Sequence, residues 1–330
     1  MKVINSNVEI YQQEPGFEGM WKQIERVGRM CYKSEDKITD ISYIKFVERM
    51  IENGHWAVLE FGTVYIALTV DQDMIDSEYD PHTIPLAYFL NNPKARCVWN
   101  NNTNTMYITT NFRYICQLAT EHPELDLINK VRKYWRDPEI DSMHQLRICT
   151  HWTTSRFVAA QALRHRVFSM MQESQRYCNY SRVNKFSEGV QFITPYWAKK
   201  LANTYGIDEN SKTLWDDLIK LEDKSVISRN EYWKSCEKEY QKEIEMGLLP
   251  EEARGCLCND AKTEFCLCGF ESDWMFKPNP NTKEKTGFFP LRTSQAAQGD
   301  IRVLAKKLET DINTLINIYY APQKPPVVGR

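Results

Sequence analysis

Hydrophobic and polar residues follow two different periods along the chain, and these periods predict a mixture of helices and strands. Apolar residues spaced by three and four positions predict a helix from about Phe17 to Tyr32 and another from Ile41 to Asn53, ended by Gly54. The alternating, β-branched segment from Val64 to Val70 predicts a strand. Both kinds of element therefore occur close together near the start of the chain.

The rest of the chain continues this mixture, interrupted by segments rich in Pro, Asn and Gly. We predict helices over about 110–121, 143–163 and 294–315, one or two charged helices within 214–246, and strands near 105–109 and, with a turn, over 256–270. Residues 71–108 and 277–287 carry loop-forming sequences. The tail 321–330 contains Pro322, Pro325 and Pro326 and is expected to be extended.

The predicted helix over 143–163 carries the first candidate chemistry. It contains neither Pro nor Gly and mixes apolar with polar positions, as a buried helix does. A helix there would bring Arg156, Gln161 and Arg164 towards one side and one end. Three such donors on a mostly apolar body indicate a ligand site, although arginines at a helix end also form structural ion pairs.

A dense group of donors follows directly. Arg164-His165-Arg166 is followed by seven residues and then by Ser174-Gln175-Arg176-Tyr177, and Gln172 lies between them. The planar fork of arginine donates in parallel to phosphate oxygens or to the carbonyls of a pyrimidine, whereas amides and hydroxyls both donate and accept. The segment therefore predicts a site for a phosphorylated, planar ligand.

Composition limits the class of partner. The chain carries 42 Lys and Arg against 44 Asp and Glu, a formal net charge of −2, so it has no broad basic field for nucleic acid. With 42% hydrophobic and 12% aromatic residues, it can bury a large core in one domain or two. The N-terminal residues lack an apolar signal region and the apolar stretches are too short for a bilayer, which predicts a protein of the cytoplasm, or of the host cytoplasm if viral, without a membrane partner.

The ten cysteines are scattered without a secretory signal, which favours reduced thiols. Two close pairs, Cys256-x-Cys258 and Cys266-x-Cys268, could together hold zinc, but zinc sites normally leave about two to four residues between paired ligands. We therefore predict no metal site and expect these thiols to act as small hydrophobic side chains in a buried strand. The chain also lacks the glycine-rich motifs of dinucleotide folds and P-loops.

Five ordered motifs resemble those of the flavin-dependent thymidylate synthases (ThyX). The most specific is Arg-His-Arg followed by seven residues and Ser, over 164–174. The other four are Arg29-Met30-Cys31-Tyr32, Gly54-His55 leading to Glu60, Glu251-Glu252-Ala253-Arg254 leading to Leu257, and Leu291-Arg292 leading to Ala297-Gln298-Gly299-Asp300-Ile301-Arg302. Together they cover roughly residues 20–70 and 145–310.

The chain departs from the family pattern at several positions. Phe61 stands where the family has His, and Cys258 stands where it usually has Pro. The family's Asn-x-Arg-x-x-x-Asn is replaced by Asn281-Thr282-Lys283 and then Gly287. The arginines that the resemblance assigns to the nucleotide are all retained.

The resemblance implies an α+β fold, an antiparallel sheet packed among helices, in a single catalytic domain over 1–320. This domain would have insertions at about 71–108 and 205–230 and would be followed by the Pro-rich tail 321–330. It also implies a homotetramer whose active sites are shared between subunits. The implied activity is that of a methyltransferase that converts dUMP to dTMP with FAD, 5,10-methylenetetrahydrofolate and NADPH or NADH.

The resemblance also assigns residues to roles. The dUMP site would comprise Arg156, Gln161, Arg164, Gln172, Ser174, Gln175, Arg176, Tyr177 and Arg254. FAD would contact Cys31, Thr63, Arg164, His165, Arg166, Gln172, Asn281, Lys283 and Gly287. Arg292 would be catalytic, since a permanent cation beside the uracil imide favours its enolate-like form while reduced flavin supplies a hydride.

Two alternatives stay open. The chain has no Pro-Cys-His nucleophile like that of the unrelated thymidylate synthases, and no evident Ser-His-Asp arrangement activates Ser174. A related pyrimidine-nucleotide one-carbon enzyme with an altered product is suggested by Phe61 and Gly287. A homologue that binds nucleotide without catalysis is the second alternative.

Overall fold

A computed structural model describes residues 1–69, 84–138, 143–182, 186, 188–275, 277–278 and 285–320, with 277–278 and 285–286 described by their backbone alone. The predicted positions Asn281 and Lys283 and the tail 321–330 lie outside this part of the chain, as do residues 70–83. No helix in the described part of the chain is long and apolar enough to cross a membrane.

The strands are short to medium in length. They are β1 (Lys2–Ile4), β2 (Asn7–Ile10), β3 (Thr63–Thr69), β4 (Arg96–Asn100), β5 (Thr105–Asn111), β6 (Arg147–Ser155), β7 (Ser169–Gln172), β8 (Gln191–Ile193), β9 (Lys262–Phe270), β10 (Lys277–Pro278) and β11 (Lys285–Thr286).

The helices are more numerous after the middle of the chain. They are α1 (Gly16–Tyr32), α2 (Ser42–Glu52), α3 (Phe112–Glu121), α4 (Leu127–Lys133), α5 (Arg156–Ala162), α6 (Tyr196–Thr204), α7 (Leu214–Lys220), α8 (Lys224–Glu245), α9 (Pro250–Ala253), α10 (Glu271–Trp274), α11 (Phe288–Arg292) and α12 (Gly299–Tyr319). Short 3-10 helices span Glu35–Lys37, Trp56–Phe61, Leu86–Tyr88, Pro123–Leu125 and Arg254–Cys256.

Two antiparallel sheets organise the fold. One has four strands in the order β2-β6-β9-β7, and the other has three strands in the order β3-β5-β4. Two-stranded pairings join β1 to β8, in parallel, and β10 to β11, antiparallel. The predicted α+β class with antiparallel sheet among helices is confirmed.

Buried apolar side chains form separate clusters around these sheets. One cluster packs α1, α2 and α3 against the three-stranded sheet, and a second packs α5, α11 and α12 against the four-stranded sheet. A third cluster joins α6, α7 and α8. A small fourth cluster of Cys31, Phe61, Cys149, Cys266 and Cys268, with apolar residues of α1, fills the space between α1 and the four-stranded sheet.

Local chemistry fixes several helix ends. The Asn111 side chain accepts a hydrogen bond from the backbone N–H of Tyr114 and begins α3, and Asp223 does the same for α8. α1 ends at Lys33, which adopts a left-handed conformation with φ of 50° and whose N–H bonds the carbonyls of Arg29 and Met30. The direction of the chain after α1 therefore depends on Lys33.

The predicted helix over 143–163 is wrong over most of its length. Residues Arg147–Ser155 form β6, and only Arg156–Ala162 is helical. β6 is hydrogen-bonded to β2 on one edge and to β9 on the other, and almost every one of its residues is buried, so both of its faces are covered. A strand covered on both faces loses the alternation that distinguishes it from a buried helix, and its Thr, Ile and Trp content favours the strand.

Other predicted elements are confirmed with shifted ends. The first two helices, the strand near Val64 and the helices near 110–121 and 214–246 all form. The predicted insertion over 71–108 contains a strand that was not predicted, β4, which completes the three-stranded sheet. Residues 205–230 include α7, whose Leu214, Trp215 and Leu218 are buried in the third cluster.

A buried histidine makes the stability of the fold depend on pH. His144 is 1% exposed, its Nδ1 lies 3.2 Å from Thr109 Oγ1, and the rings of Tyr65 and Tyr107 pack edge-on against it. Burial lowers the pKa of His144 to about 4. In the unfolded chain the pKa of this histidine is about 6.5, so between pH 4 and 6.5 the unfolded chain binds more protons than the folded one. The free energy of unfolding that comes from keeping His144 neutral is therefore complete above about pH 6.5 and is lost as the pH falls towards 4.

We expect His144→Gln to remove part of this pH dependence. When the pH is lowered from 7 to 5, protonation of His144 should lower the free energy of unfolding of the native protein by about 1–2 kcal/mol. The decrease measured for the variant should be smaller than that of the native protein by about 1–2 kcal/mol. Urea unfolding of both proteins at the two pH values measures it. An equal loss in the variant would show that His144 is not the group responsible.

Candidate active site

Six of the predicted nucleotide-binding residues line one cavity of about 420 Å³, which we call the Ser174 cavity. The cavity lies between the start of α5, the segment that follows β7, and the turn before β9. Its predicted residues are Arg156, Gln172, Ser174, Gln175, Arg176 and Arg254, and Ala160, Leu163, Glu173 and Asn259 complete it.

The segment 172–176 is held by three neighbours. Gln172 ends β7 and its amide donates to Thr263 Oγ1 of β9 at 3.0 Å. The backbone N–H of Ser174 donates to the carbonyl of Cys31, at the end of α1, at 2.8 Å. The N–H groups of Tyr177 and Cys178 both bond the Ser174 carbonyl and turn the chain away. Cys31 thus contributes its backbone to the shape of the cavity.

A buried ion network lies beneath this segment. The Glu173 carboxylate is fully buried, receives a hydrogen bond from the Tyr180 hydroxyl at 2.9 Å, and lies 3.1 Å from Lys262 Nζ. Lys262 also pairs with Glu264, and Glu264 in turn lies 2.6 Å from Lys33 Nζ. These four charged side chains, which we call the Glu173 network, join the end of α1, β9 and the 172–176 segment.

Electrostatics within the Glu173 network favour the ionised form of Glu264. Burial alone would raise the pKa of Glu264, but the hydrogen bond from His151 and the charges of Lys262 and Lys33 outweigh it and hold this pKa well below its ordinary value. Glu264 is therefore charged at neutral pH, and it anchors both lysines.

Several donors of the Ser174 cavity are held in place yet open to a ligand. Arg156 is fixed by a bond from Nη1 to the carbonyl of Leu257 at 2.9 Å. Arg176 pairs with Glu251 at 3.0 Å, and both side chains are largely exposed, so the pair is weak and exchangeable. Gln175 is only 8% exposed, and its side chain interacts with the Tyr180 hydroxyl, so it is largely enclosed by the protein.

Arg292 lies in a separate group with two residues of the Arg-His-Arg region. Its Nε donates to His165 Nε2 and its Nη2 donates to the carbonyl of Gln161, both at 2.8 Å. Because a guanidinium N–H only donates, His165 Nε2 carries a lone pair and its proton lies on Nδ1. Burial and the charge of Arg292 lower the pKa of His165 to about 4, so its ring is neutral at pH 7.

The neighbouring charges also act on Arg292. Burial and the charge of Arg164 lower its pKa from the ordinary value. Arg292, Gln161, Arg164 and Tyr177 do not line the Ser174 cavity of the same chain. The exposed ring of Tyr177 instead packs edge-on against Tyr32 at 5.5 Å.

The predicted flavin-binding residues lie in several places. Thr63 lines a cavity of about 190 Å³ that also contains Phe61 and Tyr65, and Arg166 lines another of about 430 Å³. Cys31 is buried in the fourth apolar cluster, and burial raises the pKa of its thiol to about 12. Gly287 has a φ of 110°, and a Cβ there would lie 2.2 Å from the carbonyl oxygen of Met275, so this position requires glycine.

The cavity that contains Arg166, which we call the Arg147 cavity, includes residues that the sequence did not single out. Arg147 of β6, Arg96 of β4, and Arg113 of α3 all line it. They are far apart in sequence and belong to no motif, and they lie on strands of two different sheets and on a helix, so only the packing of these elements brings them together. An arginine within the apolar run of β6 was the one local signal.

The two cysteine pairs do not form one four-thiolate set. Cys266 and Cys268 lie on β9 in the cluster with Cys149, whereas Cys256 and Cys258 pack in the third cluster. Among the described residues, no group of His, Cys, Asp and Glu has the geometry to hold a metal ion. The thiols of Cys266 and Cys268 are buried as small apolar side chains, as expected.

Comparison with known proteins gives one informative match. Residues 100–315 match the family model described as thymidylate synthase complementing protein (Thy1). Similar solved structures include two of the UMP/dUMP methylase PolB from Streptomyces cacaoi, bound with 5-Br dUMP and with 5-Br UMP. Both are 12% identical, with TM-scores of 0.36 and 0.37, and cover 96% and 95% of this chain and 93% and 92% of theirs. No curated protein matches the chain.

The bond between Arg292 and His165 predicts an unusual titration. We expect NMR to show the Nδ1–H tautomer of His165 and no protonation above about pH 5. Replacing Arg292 by Gln should raise the pKa of His165, although burial, the larger cause, should keep it below the ordinary value. Titration of His165 near pH 6.5 in the native protein would contradict the observed arrangement.

Proposed function

Because the chain belongs to the thymidylate synthase complementing protein family, we propose that it is a flavin-dependent thymidylate synthase. Family membership makes it a methyltransferase-type enzyme. The proposed reaction is the reductive methylation of dUMP to dTMP, with 5,10-methylenetetrahydrofolate as the carbon donor and NADPH or NADH as the reductant. The observation that carries the proposal is the convergence of six of the predicted nucleotide-binding residues on the Ser174 cavity.

The Ser174 cavity offers the donors that a nucleotide monophosphate needs. Arg156, Arg176 and Arg254 would bind the phosphate, since the weak pair of Arg176 with Glu251 can be exchanged for a stronger one. Gln175 would use its amide to donate to a carbonyl of uracil. Ser174 would orient the nucleotide, because no base lies within hydrogen-bond distance to activate its hydroxyl among the described residues.

The Arg292 group supplies the electrostatic part of the proposed chemistry. A guanidinium beside the uracil imide would stabilise the negative charge that develops as carbon 5 becomes nucleophilic. His165 and the Gln161 carbonyl hold this guanidinium in a fixed orientation, so it would not have to reorganise during reaction.

The separation of Arg292 from the Ser174 cavity within one chain supports a further part of the proposal. In a homotetramer with shared active sites, the Arg292 group of one subunit would face the Ser174 cavity of another. Gln161, Arg164 and Tyr177 would then reach dUMP from a neighbouring subunit.

The residues present fit a phosphate-bearing flavin. Arg164 and Arg166 are exposed and have no hydrogen-bond or ion-pair partner among the described residues, so both guanidinium groups can bind phosphate. The neutral ring of His165 between them would lie against the flavin, with Thr63, Cys31, Gln172 and Gly287 from other elements. When bound, reduced FAD would supply a hydride to the proposed reaction.

The decisive test of this function is product formation. Purified protein, FAD, NADPH, dUMP and methylenetetrahydrofolate should give dTMP under anaerobic conditions, identified by mass. A variant with the exposed Lys234 and Lys238 of α8 both changed to Gln serves as a control and should give the same yield. Absence of dTMP from flavin-loaded, correctly folded protein would overturn the proposal.

One observation favours a second candidate, a pyrimidine-nucleotide one-carbon enzyme with a different product. Phe61 is 1% exposed and packs with Cys149 and Cys266, so an apolar ring closes a position where the resemblance places a histidine. Loss of that polar ring could change the fate of the transferred carbon. A product whose mass differs from that of dTMP would support this second candidate.

Substitution of Arg292 tests the proposed catalytic group. Arg292→Ala should keep the fold and the flavin colour but lose about a hundredfold or more in oxidation of reduced flavin by dUMP plus folate, as expected for one preorganised charge donor. Arg292→Lys should restore only part of the rate, because it keeps the charge but loses the two-pronged contact. Turnover of dUMP by Arg292→Ala at close to the parental rate would contradict the assignment.

A further inference from the structure

The Arg147 cavity, of about 430 Å³, carries a strong local excess of positive charge. Its walls contain five cationic side chains, from Lys94, Arg96, Arg113, Arg147 and Arg166, against two carboxylates. The whole chain has a formal net charge of −2, so this excess is not a general property of the surface. Like charges gathered in one concave space repel each other, and a bound anion removes that repulsion.

The two carboxylates in the Arg147 cavity are already engaged. Glu60 forms an ion pair with Arg113. Asp273 accepts a hydrogen bond from the backbone N–H of Phe270 at 3.0 Å, which caps α10. Neither carboxylate forms an ion pair with Arg96, Arg147 or Arg166 in the described part of the chain.

The remaining arginines contact only neutral groups, or none, among the described residues. Arg147 is 9% exposed, and its guanidinium donates to the Glu60 carbonyl at 3.0 Å and to Ser169 Oγ at 3.2 Å. Arg96 donates to the carbonyls of Pro93 and Ala95. A buried cation without a negative partner is costly, so the structure favours an anion at this place.

An aromatic ring orients two of these cations. The guanidinium of Arg96 lies 4.3 Å from the ring centroid of Phe270, and that of Arg147 lies 5.6 Å from it. Contacts of this kind hold planar cations in place without neutralising them. The cavity is therefore a preformed arrangement of donors and not a loose group of surface charges.

The cavity is distinct from the proposed dUMP site and only partly covered by the family match. The arginines that would bind the dUMP phosphate line the Ser174 cavity, and the two cavities share no residue. Lys94 and Arg96 precede the matched range 100–315. Two of the five cations of the Arg147 cavity are therefore contributed by the chain outside the family match.

We propose that the Arg147 cavity binds the anionic part of a co-substrate, a group with two or more negative charges. The inference rests on the proposed function, which uses two co-substrates of this chemistry. The charges could be the carboxylates of a glutamate-bearing folate or the 2′-phosphate and diphosphate of a nicotinamide dinucleotide. Arg96 and Arg113 would then determine which co-substrate form is preferred.

The first arm of the test is direct binding and needs no turnover. Pyrophosphate is titrated by calorimetry into protein saturated with dUMP and FAD, so that the Ser174 cavity is occupied and the flavin phosphates, to which Arg166 is assigned, are already in place. Arg96→Gln/Arg113→Gln should weaken pyrophosphate binding by about tenfold or more, and the loss should shrink at high salt. The Lys234→Gln/Lys238→Gln control, with the same change in charge, should bind as the native protein does. Equal affinity in the arginine variant and the control would overturn the proposal.

Arg113→Gln alone provides a milder variant. Its side chain is 44% exposed, so the substitution lowers the charge without disturbing the backbone contacts of Arg96. It should weaken pyrophosphate binding by a smaller factor than the double variant. Unchanged affinity in this single variant would count against the proposal even if the double variant did not fold.

The second arm separates the two sources of the anion. Steady-state rates are compared for NADPH against NADH and for triglutamyl against monoglutamyl folate, in the native protein and in the double variant. For one of the two pairs, the ratio of the two rates should fall towards one in the variant. That result supports the proposal, and the pair affected identifies the co-substrate. If neither preference changes, or if the variant loses its flavin while the control keeps it, the proposal is wrong. A native protein that makes no dTMP would reject the proposed function, whereas the pyrophosphate arm would still report on the cavity.

Discussion

The Glu173 network is the interaction on which the arrangement of the site depends. Glu173 is fully buried, and Lys262 compensates its charge. Lys262 also pairs with Glu264, and Glu264 pairs with Lys33. Removing one partner of a buried pair typically costs about 3–5 kcal/mol, because the other charge is left uncompensated. The network therefore fixes the end of α1, the start of β9 and the segment after β7 as one unit.

The donors of the Ser174 cavity follow from this unit. Gln175 and Arg176 directly follow Glu173 and Ser174, and the Cys31 carbonyl at the end of α1 accepts the N–H of Ser174. Lys33, the last residue in this path, has a left-handed conformation that turns the chain out of α1. A cavity of fixed donors results. Preorganisation of this kind is what positioning and electrostatic catalysis require.

The sequence was sufficient to predict the residues of the candidate site that lie in or next to short motifs. Arg254 belongs to a recognisable motif and Arg176 closely follows another, and the fold brings both to one cavity with Arg156. The sequence was insufficient for β6, because a strand covered on both faces has no alternation to reveal it. The Glu173 network was also hidden, since Glu173 and Lys262 are joined by strand pairing alone.

The same limit applies to the Arg147 cavity and to the departures from the family pattern. Its cations come from β4, β6, α3 and two turns, so no spacing rule could group them. From the sequence alone, Phe61 is only a replacement of the family's histidine by an apolar ring. The structure shows that its side chain is buried and packed among thiols. Whether a residue is exposed to a ligand or closed into the core is a property of the packing, and single positions do not reveal it.

Binding of dUMP to the Ser174 cavity tests the central claim most directly. Calorimetric titration of dUMP is compared between the native protein, the Arg176→Gln/Arg254→Gln variant and the Lys234→Gln/Lys238→Gln control. Each charge-assisted hydrogen bond is worth about 1.5–3 kcal/mol, so the arginine variant should bind dUMP at least about a hundredfold more weakly, while the control binds as the native protein does. If the native protein does not bind dUMP, or if the arginine variant binds it with native affinity, the Ser174 cavity is not the nucleotide site.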